Sequence, residues 1–176
     1  MRLSLSLGAL RPWRNGDQAE LVQEANNPRV AMNLRDLFPH PYTMRHADEW
    51  LARASREPPV TNFAIEVEGR VVGGIGLLPG SDVNRVSAEI GYWLGEAWWG
   101  RGIATDAVRG LTRHAFETFP LNRLFALPFA PNVASCRVLE KAGYRCEGRM
   151  IGSAIKDGQI LDQILYAVTR SEILGS

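Results

Sequence analysis

The stretch WLGEAWWGRGIATDAV, from Trp93 to Val108, sets Gly100 and Gly102 around Arg101, directly before an apolar pattern of helical period. The first backbone N–H groups of a helix have no intrahelical partner. With the helix dipole they form a site for an anion such as a pyrophosphate. Glycines there remove side chains that would block the approach. Two familiar phosphate loops do not fit. A dinucleotide fingerprint needs a third glycine where Thr105 stands, after a first-strand βαβ unit that is missing here. A Walker loop needs Gly-Lys-Ser/Thr after four spacers, and none is present. A tight strand-to-helix turn that holds no ligand satisfies this stretch equally well.

A second stretch, NVASCRVLEKAGY (Asn132 to Tyr144), reads as another helix start, with Asn132 as its N-cap and Gly143 as its stop. Together the two stretches resemble the GNAT superfamily of acyl-CoA-dependent N-acyltransferases, in its RimJ/RimL-like branch of ribosomal-protein N-terminal acetyltransferases. The resemblance is carried by Ile90-Gly91-Tyr92, by Trp99-Gly100-Arg101-Gly102-Ile103-Ala104-Thr105, and by Asn132, Ser135, Glu140, Lys141, Gly143 and Tyr144. The closing KDGQILDQILYAV looks like that branch's terminal hairpin. The order of elements covers essentially the whole chain.

The resemblance implies acetyl-CoA as cosubstrate. Its pantetheine arm would lie between two splayed parallel strands, one ending at Leu94 and one at Phe129, and pair with backbone near Trp93 and Leu94. Trp99, Gly100, Arg101, Gly102, Ile103, Ala104 and Thr105 would form the phosphate loop, and Asn132 would meet the arm. Arg137 would reach the phosphates or lie on the surface. Trp99 stands where the wider superfamily has Gln or Arg, and an indole carries no charge. Arg101 and the backbone must then hold the phosphates, with Trp98 packing beneath.

The implied reaction is attack of a neutral amine on the thioester, expelling a thiolate. Glu89 stands at or within one residue of a glutamate base used by several superfamily members; its plain alternative is a salt-bridged edge carboxylate. Ser135 occupies the place of the hydroxyl that hydrogen-bonds the departing sulfur; its plain alternative is a serine in a helix first turn. Tyr92 and Tyr166 are reserve acids or core residues. A further glutamate base of this branch would fall near Ala154 and is absent. The resemblance also makes FPHPYT and the helix from Arg45 to Arg56 the acceptor wall, with Phe38, His40 and Tyr42 lining the pocket, or the loop packs on the core. The acceptor would be a protein N-terminus or a small amine.

These groups need a scaffold. Leu3 to Trp13 reads as a strand through Leu3, Leu5 and Leu7. Asp17 to Ala25 reads as a helix stopped by NNP, and Arg45 to Arg56 as a second helix. Phe63 to Val67 and Val71 to Leu78 form a hairpin around EGR, followed by a strand from Ser87 to Leu94. A helix spans about Gly102 to Phe116, with Ala104, Val108, Leu111 and Ala115 inward. Then come a strand from Leu124 to Phe129, the helix after Asn132, and strands Arg145 to Met150 and Leu161 to Val168. The order β-α-α-β-β-β-α-β-α-β-β is α+β or mixed α/β, and not doubly wound. The resemblance makes it a GNAT fold of about seven strands and four helices. The 176 residues suit a single domain, 1–176.

Lys plus Arg number 20 and Asp plus Glu 19, a net charge of +1 that offers no bulk attraction to nucleic acid or membrane surfaces. Cys136 and Cys146 make neither a disulfide framework nor a zinc site, and His40, His46 and His114 are scattered, so no metal is expected. The reading is cytoplasmic. The Leu/Ser alternation at the start argues against a signal peptide, and no apolar run reaches membrane length. A homodimer through a sheet edge or the terminal hairpin is open to this fold, and no residue selects it. The competing function is a non-catalytic acyl-CoA-binding module, which would not need Glu89 or Ser135.

Overall fold

The computed structural model describes residues 1–54 and 59–175. Its strands and helices are β1 (Leu3–Ser4), β2 (Ala9–Pro12), α1 (Gln18–Ala25), α2 (Pro28–Ala31), α3 (Met44–Ala54), β3 (Asn62–Val67), β4 (Arg70–Pro79), β5 (Ser87–Leu94), α4 (Ile103–Thr118), β6 (Arg123–Ala126), α5 (Val133–Lys141), β7 (Arg145–Lys156), β8 (Gln159–Thr169) and α6 (Arg170–Leu174). The strands form one sheet in the order β1-β2-β3-β4-β5-β6-β8-β7. This is the mixed α+β architecture expected, with eight strands and six helices among the described residues instead of seven and four.

The extra elements have local causes. The expected first strand breaks into β1 and β2, which pair antiparallel at Leu3↔Leu10 and Ser4↔Ala9. Leu5 N–H donates to Gly8 C=O (2.9 Å), closing a turn, and a Cβ on Gly8 would come 2.4 Å from the Glu66 carbonyl. Leu3 and Leu5 still pack on the core, but Leu7 is exposed. α1 stops at Ala25 before Asn26-Asn27-Pro28, as expected, and Pro28 then opens α2 at a position where its missing N–H costs nothing, while Asn27 caps α2 by accepting from Arg29 N–H. At the end of β8, Thr169 and Glu172 form a capping box that starts α6. Of the helix expected from Arg45 to Arg56, positions 55 and 56 lie outside the described residues.

Helices pack on both sheet faces. The larger core joins β3, β4 and β5 to α4 and α5 through Phe63, Ile65, Ile90, Leu111, Phe116 and Leu139. The smaller joins the opposite face to α1 and α3 through Trp13, Leu21, Tyr42, Leu51 and Val71. Each large side chain so buried contributes about 1.5–3 kcal/mol.

The feature that makes a site is the join between β5 and β6. They pair in parallel only at Ser87↔Arg123, Ala88↔Leu124 and Glu89↔Phe125. Beyond that point β5 stays with β4 to Gly73↔Leu94, while β6 stays with β8 to Ala126↔Tyr166. The chain after β6 keeps following β8: Ile164 N–H donates to Pro128 C=O (3.0 Å) and Ala130 N–H to Asp162 C=O (2.9 Å). The two parallel strands therefore part. The strand expected to run to Phe129 ends at Ala126, and Phe129 makes one bridge to Gln163.

A buried charge network ties β2 to β3. Arg11 donates to Glu66 and, with both terminal nitrogens at 2.8 Å, to Asp17. The hydrogen bond from Arg11, followed by that from Arg2, holds the Glu66 carboxyl below the usual range, against the opposing effect of burial. Its stabilising contribution is full above the unfolded-state value and is lost as pH falls through the folded-state value. Removing one partner of a buried pair costs about 3–5 kcal/mol. Glu66→Gln is therefore expected to lower the melting temperature markedly at pH 7. The difference from wild type should shrink as both are melted at successively more acidic pH.

Candidate active site

A cavity of about 1180 Å³ opens where β5 and β6 part. Its lining comes from β5, the turn before α4, the start of α5, the segment after β6, and the loop between α2 and α3. Side chains alternate along β5. Ala88, Ile90 and Leu94 join the α4/α5 core and Tyr92 packs against it, whereas Trp93 packs with the α1/α3 cluster. Glu89 shares the Trp93 parity, so the parting of the strands connects two differently furnished faces.

On the α4 side, Glu96–Trp98 makes a short 3-10 turn, and Gly100 (φ +74°) and Gly102 (φ +80°) take left-handed backbone conformations before α4. Nothing lies within 4 Å of a Cβ added to Gly100, so this glycine is demanded by its backbone conformation and not by crowding. Gly102 is the N-cap of α4 and supplies no side-chain cap to the first N–H groups of that helix. Trp99 turns back: its Nε1–H donates to the Leu94 carbonyl (2.9 Å), and Arg29 stacks on its ring at 5.6 Å. Trp98 is buried, and the Arg101 guanidinium lies over it at 5.0 Å. The loop's charge therefore comes from Arg101, and its donors from backbone. Ile103, Ala104 and Thr105 line the same end.

Across the gap, Asn132 caps α5 by accepting from Ser135 N–H at 3.2 Å. Arg137 and Lys141 follow at i, i+4 spacing and line the cavity. Ser135 Oγ is 2.8 Å from the Tyr92 hydroxyl, which also stands 3.2 Å from the Ser135 carbonyl. Burial, above all, pushes the Tyr92 phenol well above its ordinary range, so it stays protonated through neutral pH. The phenol donates to the Ser135 carbonyl, and in its contact with Oγ either hydroxyl can be the donor. Tyr166 donates to Glu140 (2.8 Å) and does not line the cavity.

On the opposite face, the Glu89 side chain is 18% exposed and forms an ion pair with Arg35. The next residue, Asp36, pairs with Lys156 on the terminal hairpin at 3.0 Å. Phe38 packs on Tyr42 (5.1 Å) and edge-on to Trp93 (5.3 Å), and Trp50 also lines this side. Desolvation pushes the Tyr42 phenol up to about 12. A Cβ on Gly74 would meet Trp93 Nε1 at 2.8 Å, so that glycine makes room for the indole.

Of the residues expected from sequence, Glu89, Ser135, Trp93, Leu94, Trp99 to Thr105, Asn132, Arg137, Phe38 and Tyr42 all line this one cavity. His40 is exposed and lies outside the lining. Trp50 lines the cavity from the helix expected at the acceptor wall, whereas sequence reasoning gave no site role to Arg35 or Lys141; of these two only Lys141 had a local signal, four residues after Arg137. The two cysteines are free, Cys136 buried and Cys146 exposed. Among the described residues, no group of three or more His, Cys, Asp or Glu side chains is placed to hold a metal, and no helix is long and apolar enough to cross a membrane.

Residues 9–145 match the acetyltransferase (GNAT) domain family. YdaF of Bacillus subtilis (strain 168), which carries the name of a ribosomal N-acetyltransferase, is 35% identical over 105 residues, spanning 60% of this chain and 57% of its own. YjcK of the same organism, named as a probable N-acetyltransferase, is 31% identical over 143 residues, 73% of this chain and 78% of its own. Among solved structures, Mycobacterium smegmatis RimJ in complex with CoA-disulfide superposes with a TM-score of 0.80 at 27% identity, covering 100% of this chain and 89% of that one. The family match takes in most of the chain, including the parted strands and both helix starts around the cavity, and the chain belongs to the GNAT family of acetyltransferases.

Proposed function

We propose that the protein transfers an acetyl group from acetyl-CoA to a primary amine, by direct attack within a complex holding both substrates. One observation carries the reading: a single cavity joins the glycine loop and α5 start on one sheet face to Glu89 on the other. A thioester lying in the gap would have its phosphates at the start of α4, beside Arg101, Arg137 and Lys141. Its pantetheine amides would pair with the stretch of β5 that has lost β6. Its carbonyl would sit between an amine approaching from the Glu89 side and the Tyr92–Ser135 pair. Holding both reactants in this way supplies much of the rate.

The proton path follows. Glu89, directly or through a water, takes the proton that the amine must lose. Ser135, backed by Tyr92, donates a hydrogen bond to the departing sulfur. A thiol with a pKa near 8.5, by analogy with cysteine, leaves readily, so Ser135→Ala is expected to lower kcat by only about 10-fold, below the usual range for a general acid. KM for acetyl-CoA should stay within about twofold. Unchanged turnover would remove Ser135 from the reaction.

The founding test is isothermal titration with acetyl-CoA and with CoA, followed by a screen of amine acceptors. Saturable binding and transfer are expected. Binding without transfer across α-amines, lysine-like amines and polyamines would leave an acyl-CoA-binding module. No binding to either ligand would overturn the reading.

A further inference from the structure

We propose that the acceptor of this site is a monocationic amine carried on an apolar, preferentially aromatic body, and that Arg35 holds the place of its ammonium group in the empty protein. This deepens the acetyltransferase reading and rests on it.

Among the described residues, three carboxylates line the cavity: Asp36, Glu49 and Glu89. Each already has a cation. Asp36 is paired with Lys156 and Glu89 with Arg35, while Glu49 lies 3.9 Å from Arg45 on its own helix. Only Glu89 stands on β5 beside the parted strands, and its side chain is 18% exposed against 57% for Glu49. The cavity therefore offers one recessed position for a cation, and a guanidinium fills it. A second ammonium group on the same molecule would find no unpaired carboxylate among the described residues that line the cavity. It would also meet Arg53, which lines the cavity and stacks on Trp50 at 5.9 Å. A polyamine fits this charge pattern poorly.

The rest of the wall is apolar. Phe38, Tyr42, Trp50 and Trp93 line the same cavity as Glu89, and the first two belong to the same loop as Arg35. One loop thus supplies both the competing cation and much of the surface that would receive the acceptor's body. Aromatic faces also favour a cation that passes along them. Arg35 is 54% exposed at its side chain, so the guanidinium half of its pair with Glu89 is partly solvent-screened and can be exchanged for another cation. An entering ammonium exchanges for the guanidinium at Glu89 without leaving that carboxylate unpaired. In this scheme Arg35 is a specificity residue; it takes no part in bond making.

The test is a set of isothermal titrations on the CoA-saturated protein with three probes: phenethylamine, butylamine and spermidine. Phenethylamine is expected to bind about 5-fold or more tighter than butylamine, from ring burial and aromatic contact. Spermidine is expected to bind no tighter than butylamine. Arg35→Ala should tighten phenethylamine by about 3- to 5-fold, the scale of an exposed ion pair, and Arg35→Lys should return it toward wild type. Added salt should narrow the gap between wild type and Arg35→Ala.

Spermidine binding tighter than butylamine, or phenethylamine binding no tighter than butylamine, would overturn the acceptor class. Unchanged or weaker phenethylamine binding in Arg35→Ala would overturn the role of Arg35. Absence of amine binding in both proteins would overturn the whole inference. These failures are separate from failure of the acetyl-CoA titration, which removes the acetyltransferase reading itself.

Discussion

Gly102→Glu is expected to abolish measurable binding of acetyl-CoA. Gly102 has φ +80°, a conformation that costs other L-residues about 1–2 kcal/mol. Its added Cβ would meet Leu7 Cδ1 at 3.4 Å, an ordinary contact, so the fold tolerates the bulk. Affinity falls for a different reason. A glutamate at the N-cap of α4 places a carboxylate on the free N–H groups where the proposed pyrophosphate would lie, and its charge repels that group. A unit charge about 4 Å away at a protein surface is worth about 4 kcal/mol, and each 1.4 kcal/mol is tenfold in Kd, so a loss of about 10³ or more follows. Gly102→Ala carries the backbone strain without the charge and separates the two effects. It should melt somewhat lower than wild type while retaining most of its affinity. Titration calorimetry and thermal melts on the three proteins decide the matter. Near-normal binding by Gly102→Glu would mean that the turn is structural only.

Glu89→Gln is expected to have the largest effect on turnover, and its size depends on the acceptor. An amine of pKa near 10.4 costs about 4–5 kcal/mol to deprotonate at pH 7, and an α-amine near 7.8 about 1 kcal/mol. With the first kind, loss of the base should lower kcat/KM by about 10²–10⁴ at neutral pH. With the second, the loss should stay near tenfold, because much of the amine is already neutral. In both cases the variant's rate should climb about tenfold per pH unit until the amine's own pKa, since only free amine reacts without a base. The substitution also breaks the ion pair to Arg35. The double variant Arg35→Ala/Glu89→Gln removes that complication, because its decrease relative to Arg35→Ala alone measures the base. A pH profile of Glu89→Gln parallel to wild type would show that proton removal does not pass through Glu89.

The terminal hairpin shows how far pattern reading went. Strands were expected over Arg145 to Met150 and Leu161 to Val168, and the structure extends them to β7 and β8, Arg145–Lys156 and Gln159–Thr169. β7 is an outer strand of the sheet and mostly exposed, so its outer half lacks the burial alternation that marks a strand in sequence. Its irregular register between Met150 and Ala154, with Gly152 at φ +60°, weakens the pattern further. α2 and α6 were missed because each is one turn long, and their caps are legible only once the helix is known to be there.

What the sequence determined by itself was the set of local demands. Gly100 and Gly102 need left-handed backbone, Asn132 caps the helix it precedes, and the apolar period of α4 names the face that must be buried. Those demands involve neighbours a few residues apart, so residue type and spacing express them, and the family resemblance rides on the same segments. The tertiary structure decided the encounters between distant residues. Tyr92 meets Ser135 across 43 positions, Arg35 meets Glu89 across 54, and Asp36 meets Lys156 across 120. It also decided that β6 follows β8 and leaves β5 beyond Glu89, opening the cavity between the sheet's two faces. Choice of strand partner and loop path depends on competition among backbone donors over the whole sheet, and no short stretch of sequence contains that competition.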